Sequence, residues 1–175
     1  TLNTNSTIGE VTFVMDGIPY LNKIQGVADA TINANLDKMQ FSFKESNLQL
    51  NDLKASIDGT FAMVGKDYED MEFDLKLNAP DTQFKDILSL VPAMYTADFK
   101  DVKTSGTAKL EAYIKGLMHG DSYPAFDVKI MVNDAMFQYP SLPKSVNNIN
   151  VAMAINSKGG SLDNMIIDIS KFSFN

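Results

Sequence analysis

Alternation of apolar and polar side chains is the feature that most limits what this chain can fold into. The segment MEFDLKLN at residues 71–78 places an apolar side chain at every second position, with charged or amide groups between. Successive side chains of a β-strand point to opposite faces, so this pattern predicts a strand with one apolar face. The same alternation recurs over residues 126–132 and 149–155.

Weaker alternation extends this prediction over most of the chain. It occurs at residues 11–15, 27–36, 41–50, 57–64, 106–115 and 165–174. Turn-forming residues separate these segments, and we place turns at Asp58-Gly59 and at Lys158-Gly159-Gly160 among others. We therefore expect a mainly β fold of about nine or ten strands. The expected architecture is an elongated, curved antiparallel sheet that forms an open groove or partial barrel.

Residues 81–92 break the alternation and predict one short helix near residues 82–91. Apolar side chains recur there at three- and four-residue spacing. They are Phe84, Ile87, Leu88 and Val91. Asp81 or Thr82 would cap the N-terminus, and Pro92 would end the helix. The length of 175 residues fits one domain over 1–175, which we expect to be a fragment of a larger protein.

Composition excludes several classes of partner and site. Fifteen basic against twenty-two acidic residues leave a net charge of -7, which disfavours nucleic acid and anionic membrane surfaces. The absence of cysteine excludes disulfides and thiolate chemistry. No apolar run in the sequence approaches the roughly 20 residues that span a bilayer, and we expect no signal peptide at its start.

Candidate catalytic and metal-binding residues are few. His119, the one histidine, falls in a predicted turn and is expected to be solvated there. Asp67, Glu69 and Asp70 could hold calcium, but a solvated hairpin tip is the simpler interpretation, because the regular spacing of a calcium loop is absent. No phosphate loop or nucleophile motif occurs. We therefore expect no enzymatic activity, no cofactor and no metal site, and leave a metal at the acidic run open.

The apolar strand faces are the remaining candidate for function. Such a face ordinarily packs against a second sheet or a helix, but one short helix cannot cover a sheet of this length. We expect part of it to remain open as a trough lined by a group of apolar side chains. This predicted group is Phe61, Met63, Phe73, Leu75, Leu77, Leu110, Ile114, Val128, Ile130, Val132, Val151, Met153 and Ile155.

Several segments together resemble AsmA-family envelope proteins of Bacteroidetes. One is DTQFKDILSLVPAMY at residues 81–95, followed by Asp98-Phe99 and by TSGT at residues 104–107. The turn YPSLPKSVNNI at residues 139–149 and the strand start IDGTF at residues 57–61 are similar to repeated patterns of that family.

The resemblance implies a periplasmic region of a larger protein involved in outer-membrane biogenesis. It implies an inner-membrane anchor helix outside this sequence, neighbouring domains of the same chain, and a curved β-sheet that handles lipid acyl chains or phospholipid along an apolar groove. No catalytic residues come with the family.

Two other hypotheses compete with lipid handling. A secreted β-sandwich could bind carbohydrate or a protein partner through its loops and polar face, with tyrosines stacking on sugars. These tyrosines are Tyr20, Tyr68, Tyr113, Tyr123 and Tyr139. The absence of tryptophan weakens this hypothesis. The second hypothesis is an enzyme built on a β-helix with acidic catalytic groups. The sequence places no paired carboxylates on one predicted sheet face, which disfavours this hypothesis.

Overall fold

The alternating segments form strands in the computed structural model, which describes residues 1–15, 18–88 and 102–175. The strands are β1 Leu2–Met15, β2 Ile18–Asn35, β3 Gln40–Leu50, β4 Leu53–Val64, β5 Asp70–Gln83, β6 Lys103–Met118, β7 Ala125–Gln138, β8 Val146–Ser157 and β9 Ile166–Ser173. One α-helix, α1, spans Phe84–Leu88, and two 3-10 turns span Lys66–Tyr68 and Leu162–Asn164. No helix among the described residues is long and apolar enough to cross a membrane.

The nine strands form a single sheet in chain order, and each pairs antiparallel with its sequence neighbours. Short connections permit this order, and only Asn51 and Asp52 join β3 to β4. Asn51 takes a φ of 51°, as tight two-residue hairpins require. β1 and β9 form the two edges, so the sheet is not closed into a barrel.

A line of β-bulges bends the sheet across β5 to β8. The pairing register shifts between Ala79 and Thr82 on β5. It shifts again beside Gly106 on β6, Asp134 on β7 and Asn148 on β8, all with positive φ. Bulged strands bend and twist more strongly than regular ones, which accounts for curvature at this end of the sheet.

Helix α1 is tied to the end of β5 by a buried carboxylate. Asp86 accepts hydrogen bonds from the backbone N–H of Gln83 at 3.1 Å and from the hydroxyl of Thr82 at 3.0 Å. A carboxylate three residues into a helix that reaches back to the preceding N–H forms one arm of a capping box. Gln83 therefore precedes the helix, and the predicted cap at Asp81 or Thr82 is wrong. The predicted continuation through residues 89–91 to Pro92 lies outside the described residues.

Small side chains let α1 approach the sheet closely. Ala79, Ala108 and Ala135 are at most 1% exposed, and Phe84 or Ile87 of the helix packs against the two core clusters that contain them. All three alanines lie near the same end of the sheet, beside the bulges. The core is therefore concentrated where α1 meets β5, β6 and β7.

The structure confirms the predicted mainly β fold with a curved antiparallel sheet and a short helix. The predicted turn at Asp58-Gly59 is wrong, because Gly59 continues β4 with a φ of 122°. A Cβ at Gly59 would overlap the carbonyl oxygen of Asp74, so the glycine serves close strand contact rather than a turn. The β-sandwich and β-helix architectures are also wrong for the described residues, since all nine strands belong to one antiparallel sheet.

Gly106→Ala should destabilise the fold at the line of bulges. Its φ of 109° disfavours any other residue, and an added Cβ would lie 2.5 Å from Ala135 Cα. We expect the free energy of unfolding to fall by about 1–3 kcal/mol, measured by urea denaturation. Gly9→Ala is the matched control, because a Cβ there meets no atom within 4 Å. Equal unfolding midpoints for the two variants would contradict this role of Gly106.

Candidate functional site

The sheet register brings every member of the predicted apolar group onto one face. Cross-strand partners lie on the same side of an antiparallel sheet, and side chains alternate along each strand. Three rows of paired residues cross the middle of this face. The first row is Gly59, Leu75, Ile114 and Phe126. The second is Ile57, Leu77, Ala112, Val128 and Ile155, and the third is Leu110, Ile130 and Met153. The pairs Phe61 with Phe73, Met63 with Met71 and Val132 with Val151 complete the group. We call this side the apolar face.

Most of the apolar face is partly open. Leu110 and Val132 are buried, with 9% and 3% exposure, because they belong to the clusters beneath α1. Every other member of the predicted group is half-buried. Within the described residues no second sheet packs on this face, and α1 covers only the end near Ala108 and Ala135.

Two phenylalanines of β3 share the face but were missing from the predicted group. Phe41 pairs with Phe61 and Phe43 with Gly59. The ring centroids of Phe41 and Phe61 lie 6.2 Å apart, and those of Phe61 and Phe73 lie 5.4 Å apart, which forms a continuous aromatic row. The alternating pair Phe41 and Phe43 was a usable sequence signal. A bulge at Glu45, with a φ of 48°, interrupts the alternation before Leu48 and hides the common face.

Strand β9 extends the apolar face to one edge of the sheet. Ile167, Ile169 and Phe172 pair with Ile155, Met153 and Val151 of the predicted group. Their exposures of 55%, 56% and 64% exceed those of their half-buried partners, because an edge strand has one neighbour only. None of the three was in the predicted group, and for Phe172 a register shift near Ser170 breaks the two-residue period.

A row of methionines forms the end of the apolar face opposite α1. Met63 pairs with Met71, and Met71 pairs with Met118. The thioether side chain is flexible and polarizable, so it can adapt to apolar contacts of different shapes. The two ends of this face therefore differ, with a packed helix at one and adaptable side chains at the other.

The opposite side, which we call the polar face, carries ion pairs between neighbouring strands. Asp74 accepts hydrogen bonds from the Lys115 ammonium and the Tyr113 hydroxyl, each at 2.8 Å. The bond from Lys115, followed by that from Tyr113, lowers the pKa of Asp74 below its usual 3.8. The same contact with Asp74 raises the pKa of Lys115 above its usual 10.5. These groups are solvated, so they orient side chains more than they stabilise the fold.

His119 and the acidic run lie in two neighbouring turns, one between β6 and β7 and the other between β4 and β5. His119 is exposed in a turn, as predicted from the sequence, and its Nδ1 lies 2.6 Å from Oδ1 of Asp70. Asp70 is thereby engaged by His119, while Asp67 and Glu69 are exposed. Among the described residues, no group of three or more acidic or histidine side chains is arranged to hold a metal ion.

The tyrosines proposed to stack on sugars lie on separate elements. Tyr20 belongs to β2 and Tyr113 to β6, and Tyr68 ends a 3-10 turn. Tyr123 forms an isolated bridge with Gly160, and Tyr139 follows β7, where its ring contacts Phe137. The tyrosines therefore come from five different segments of the chain.

Comparison with known proteins gives no relative: no family model, no curated protein and no solved structure matches the chain. The likeness to AsmA-family proteins stays a prediction from the residues.

Tyr113→Phe should raise the pKa of Asp74 toward its usual value, because one of two hydrogen bonds to the carboxylate is lost. A depressed pKa adds stability above the unfolded-state value and loses it as pH falls through the folded-state value. The variant should therefore lose less stability on acidification. NMR titration of the Asp74 carboxyl carbon measures the shift.

Tyr68→Phe is the control for this titration, because Tyr68 is exposed and makes no hydrogen bond through its side chain within the described residues. It should leave the pKa of Asp74 unchanged. An unchanged pKa in Tyr113→Phe as well would show that Lys115 alone sets the protonation of Asp74.

Proposed function

We propose that this chain is a non-catalytic module that holds lipid acyl chains against its apolar face. The observation that carries the proposal is the placement of the whole predicted apolar group on one side of a single-layer sheet, mostly half-buried. A large, partly open apolar surface marks a site for an apolar ligand or partner. Acyl chains suit it because they need continuous apolar contact and no directional bonds.

The energy of such contact is adequate without any polar anchor. Each methylene removed from water contributes about 0.8 kcal/mol, so burial of eight methylenes would contribute about 6 kcal/mol before the cost of ordering the chain. Aromatic side chains such as Phe61 and Phe73 offer large apolar areas for these contacts. A surface of this kind discriminates between lipids by the length of the acyl chain more than by the headgroup.

Helix α1 limits the proposed binding surface at one end. It packs on the clusters that contain Ala108 and Ala135, at the end of the sheet where the strands bulge. Acyl chains would therefore occupy the rows that run from the methionines toward Leu77 and Val128. In this proposal α1 acts as the stop at one end of the groove.

The residue likeness to AsmA-family proteins extends the proposal to the cell envelope. On that basis the chain is a periplasmic part of an AsmA-like protein in outer-membrane biogenesis, conducting lipid between neighbouring domains of the same chain. Contact with the inner membrane would come from an anchoring segment outside this sequence. The charged pairs of the polar face suit an aqueous compartment on that side.

Copurifying phospholipid, measured by native mass spectrometry with lipid extraction, tests the proposal. Leu75→Glu places a carboxylate in the middle of the apolar face, where a charge without a partner is costly against an acyl chain. We expect at least about tenfold less bound phospholipid, corresponding to about 1.4 kcal/mol. Circular dichroism establishes that the variant keeps its sheet.

Met131→Glu is the matched control. Met131 is an exposed apolar residue of β7 that pairs with Lys109 and therefore lies on the polar face. This variant introduces the same charge into the same sheet and should retain its phospholipid. Absence of phospholipid from the unaltered protein, or equal retention by folded Leu75→Glu, would rule out the apolar face as the site.

A further inference from the structure

A second candidate site lies on the polar face, across β2 to β5. A cleft of about 480 Å³ opens there, a volume typical of sites for small ligands. Lysine, amide, hydroxyl and carboxylate side chains line it together with aliphatic ones. It contains none of the tyrosines proposed from the sequence, and none of the apolar group proposed to hold lipid.

One wall of the cleft is a row of short polar side chains contributed by four strands. Asp29 of β2 pairs with Asn47 of β3, Asn47 with Ser56 of β4, and Ser56 with Asn78 of β5. The Asn47 and Asn78 side-chain amides form no hydrogen bond with other groups of the described chain. Each amide offers two donors and an acceptor, the complement of vicinal hydroxyl groups on a ligand.

Aliphatic surface in the cleft comes from Val27 and Pro80, which lie beside a second row of paired residues. Val27 of β2 pairs with Gln49 of β3, and Gln49 pairs with Lys54 of β4. Val27 is 39% exposed, and Pro80 lies at the β5 side of the cleft. Aliphatic surface beside a row of amides matches a ring that has C–H groups on its faces and hydroxyls around its rim.

Charge further restricts the ligand. Asp29 and Lys54 line the same cleft, so their opposite charges leave it without an excess of either sign. A phosphate or polyanionic ligand would need several basic groups, and the cleft supplies one. The favoured ligand is therefore neutral and rich in hydroxyls.

Two further cavities adjoin the cleft. A cavity of about 600 Å³ shares Gln49 and Lys54 with it, and another of about 570 Å³ shares Val27 and Gln49. Further hydrogen-bonding groups line these extensions, including Asn51. Adjoining cavities of this size leave room for several linked rings rather than a single one.

We propose that this cleft binds a short neutral oligosaccharide. The row from Asp29 to Asn78 would bond to its hydroxyls, while Val27 and Pro80 contact its C–H faces. Because the site and the apolar face lie on opposite sides of the sheet, a chain that binds both ligands would present a glycan on one side and lipid on the other.

Two-dimensional ¹H–¹⁵N NMR titration of the whole chain tests this proposal with maltotriose, cellotriose and triacetylchitotriose as probes. We expect at least one probe, at millimolar concentration, to shift amide signals of β2 to β5 around the cleft. Asn47→Leu combined with Asn78→Leu keeps side-chain size while removing both amides, and should weaken binding by at least about tenfold.

Asn156→Leu is the matched control, since Asn156 lies on the polar face of β8, paired with Asp127 and outside the cleft. It should bind as the unaltered chain does. Lys54→Ala, at an exposed position of the cleft, should weaken binding as well and replaces the double variant if the latter fails to fold.

Absence of shifts with all three probes would overturn the proposal. Binding that both cleft variants leave unchanged would overturn the assignment of the site. Phospholipid retention is measured separately, with substitutions on the apolar face. Failure of one proposal therefore does not affect the test of the other.

Discussion

Cross-strand register is the constraint on which both faces of this sheet depend. A slip of one residue moves every side chain of a strand to the other face, so an apolar group shared by several strands requires each pairing to be held in place. The pairing of β4 with β5 has no register shift over its whole length. It therefore keeps Phe61, Phe73 and Leu75 on the same face of the sheet. Elsewhere, bulges add residues without moving the apolar rows off their face.

The end of the sheet beside α1 has a different physical basis. There, Gly106 permits a close approach of β6 and β7, and alanines leave room for a helix to pack directly on the sheet. Asp86 ties the helix start to the end of β5 through two hydrogen bonds. The bulges, the small alanine side chains and the capping carboxylate of Asp86 together produce the most buried region of the described chain.

The two faces differ in chemistry although the same strands build both. On one side, aromatic and aliphatic rows run from β3 to β9 and remain partly open beyond α1. On the other, ion pairs such as Asp74 with Lys115 occupy β5 and β6, while amide and hydroxyl side chains surround a cleft over β2 to β5. A sheet with one layer leaves both surfaces available to ligands, whereas a sandwich would enclose one of them.

The sequence by itself determined which residues share a face within each strand segment free of bulges, because side-chain direction follows a local period of two. Residues 71–78 and 126–132 show this plainly, and the short helix is visible in its own spacing. Only the tertiary structure decided the register between neighbouring strands, the pairing of Phe41 with Phe61, and the place where α1 packs on the sheet. It alone brought Asp29, Asn47, Ser56 and Asn78 into one row. Pairing partners and bulge positions are set by hydrogen bonds between segments that are distant in sequence. The local alternation of side chains therefore cannot predict them.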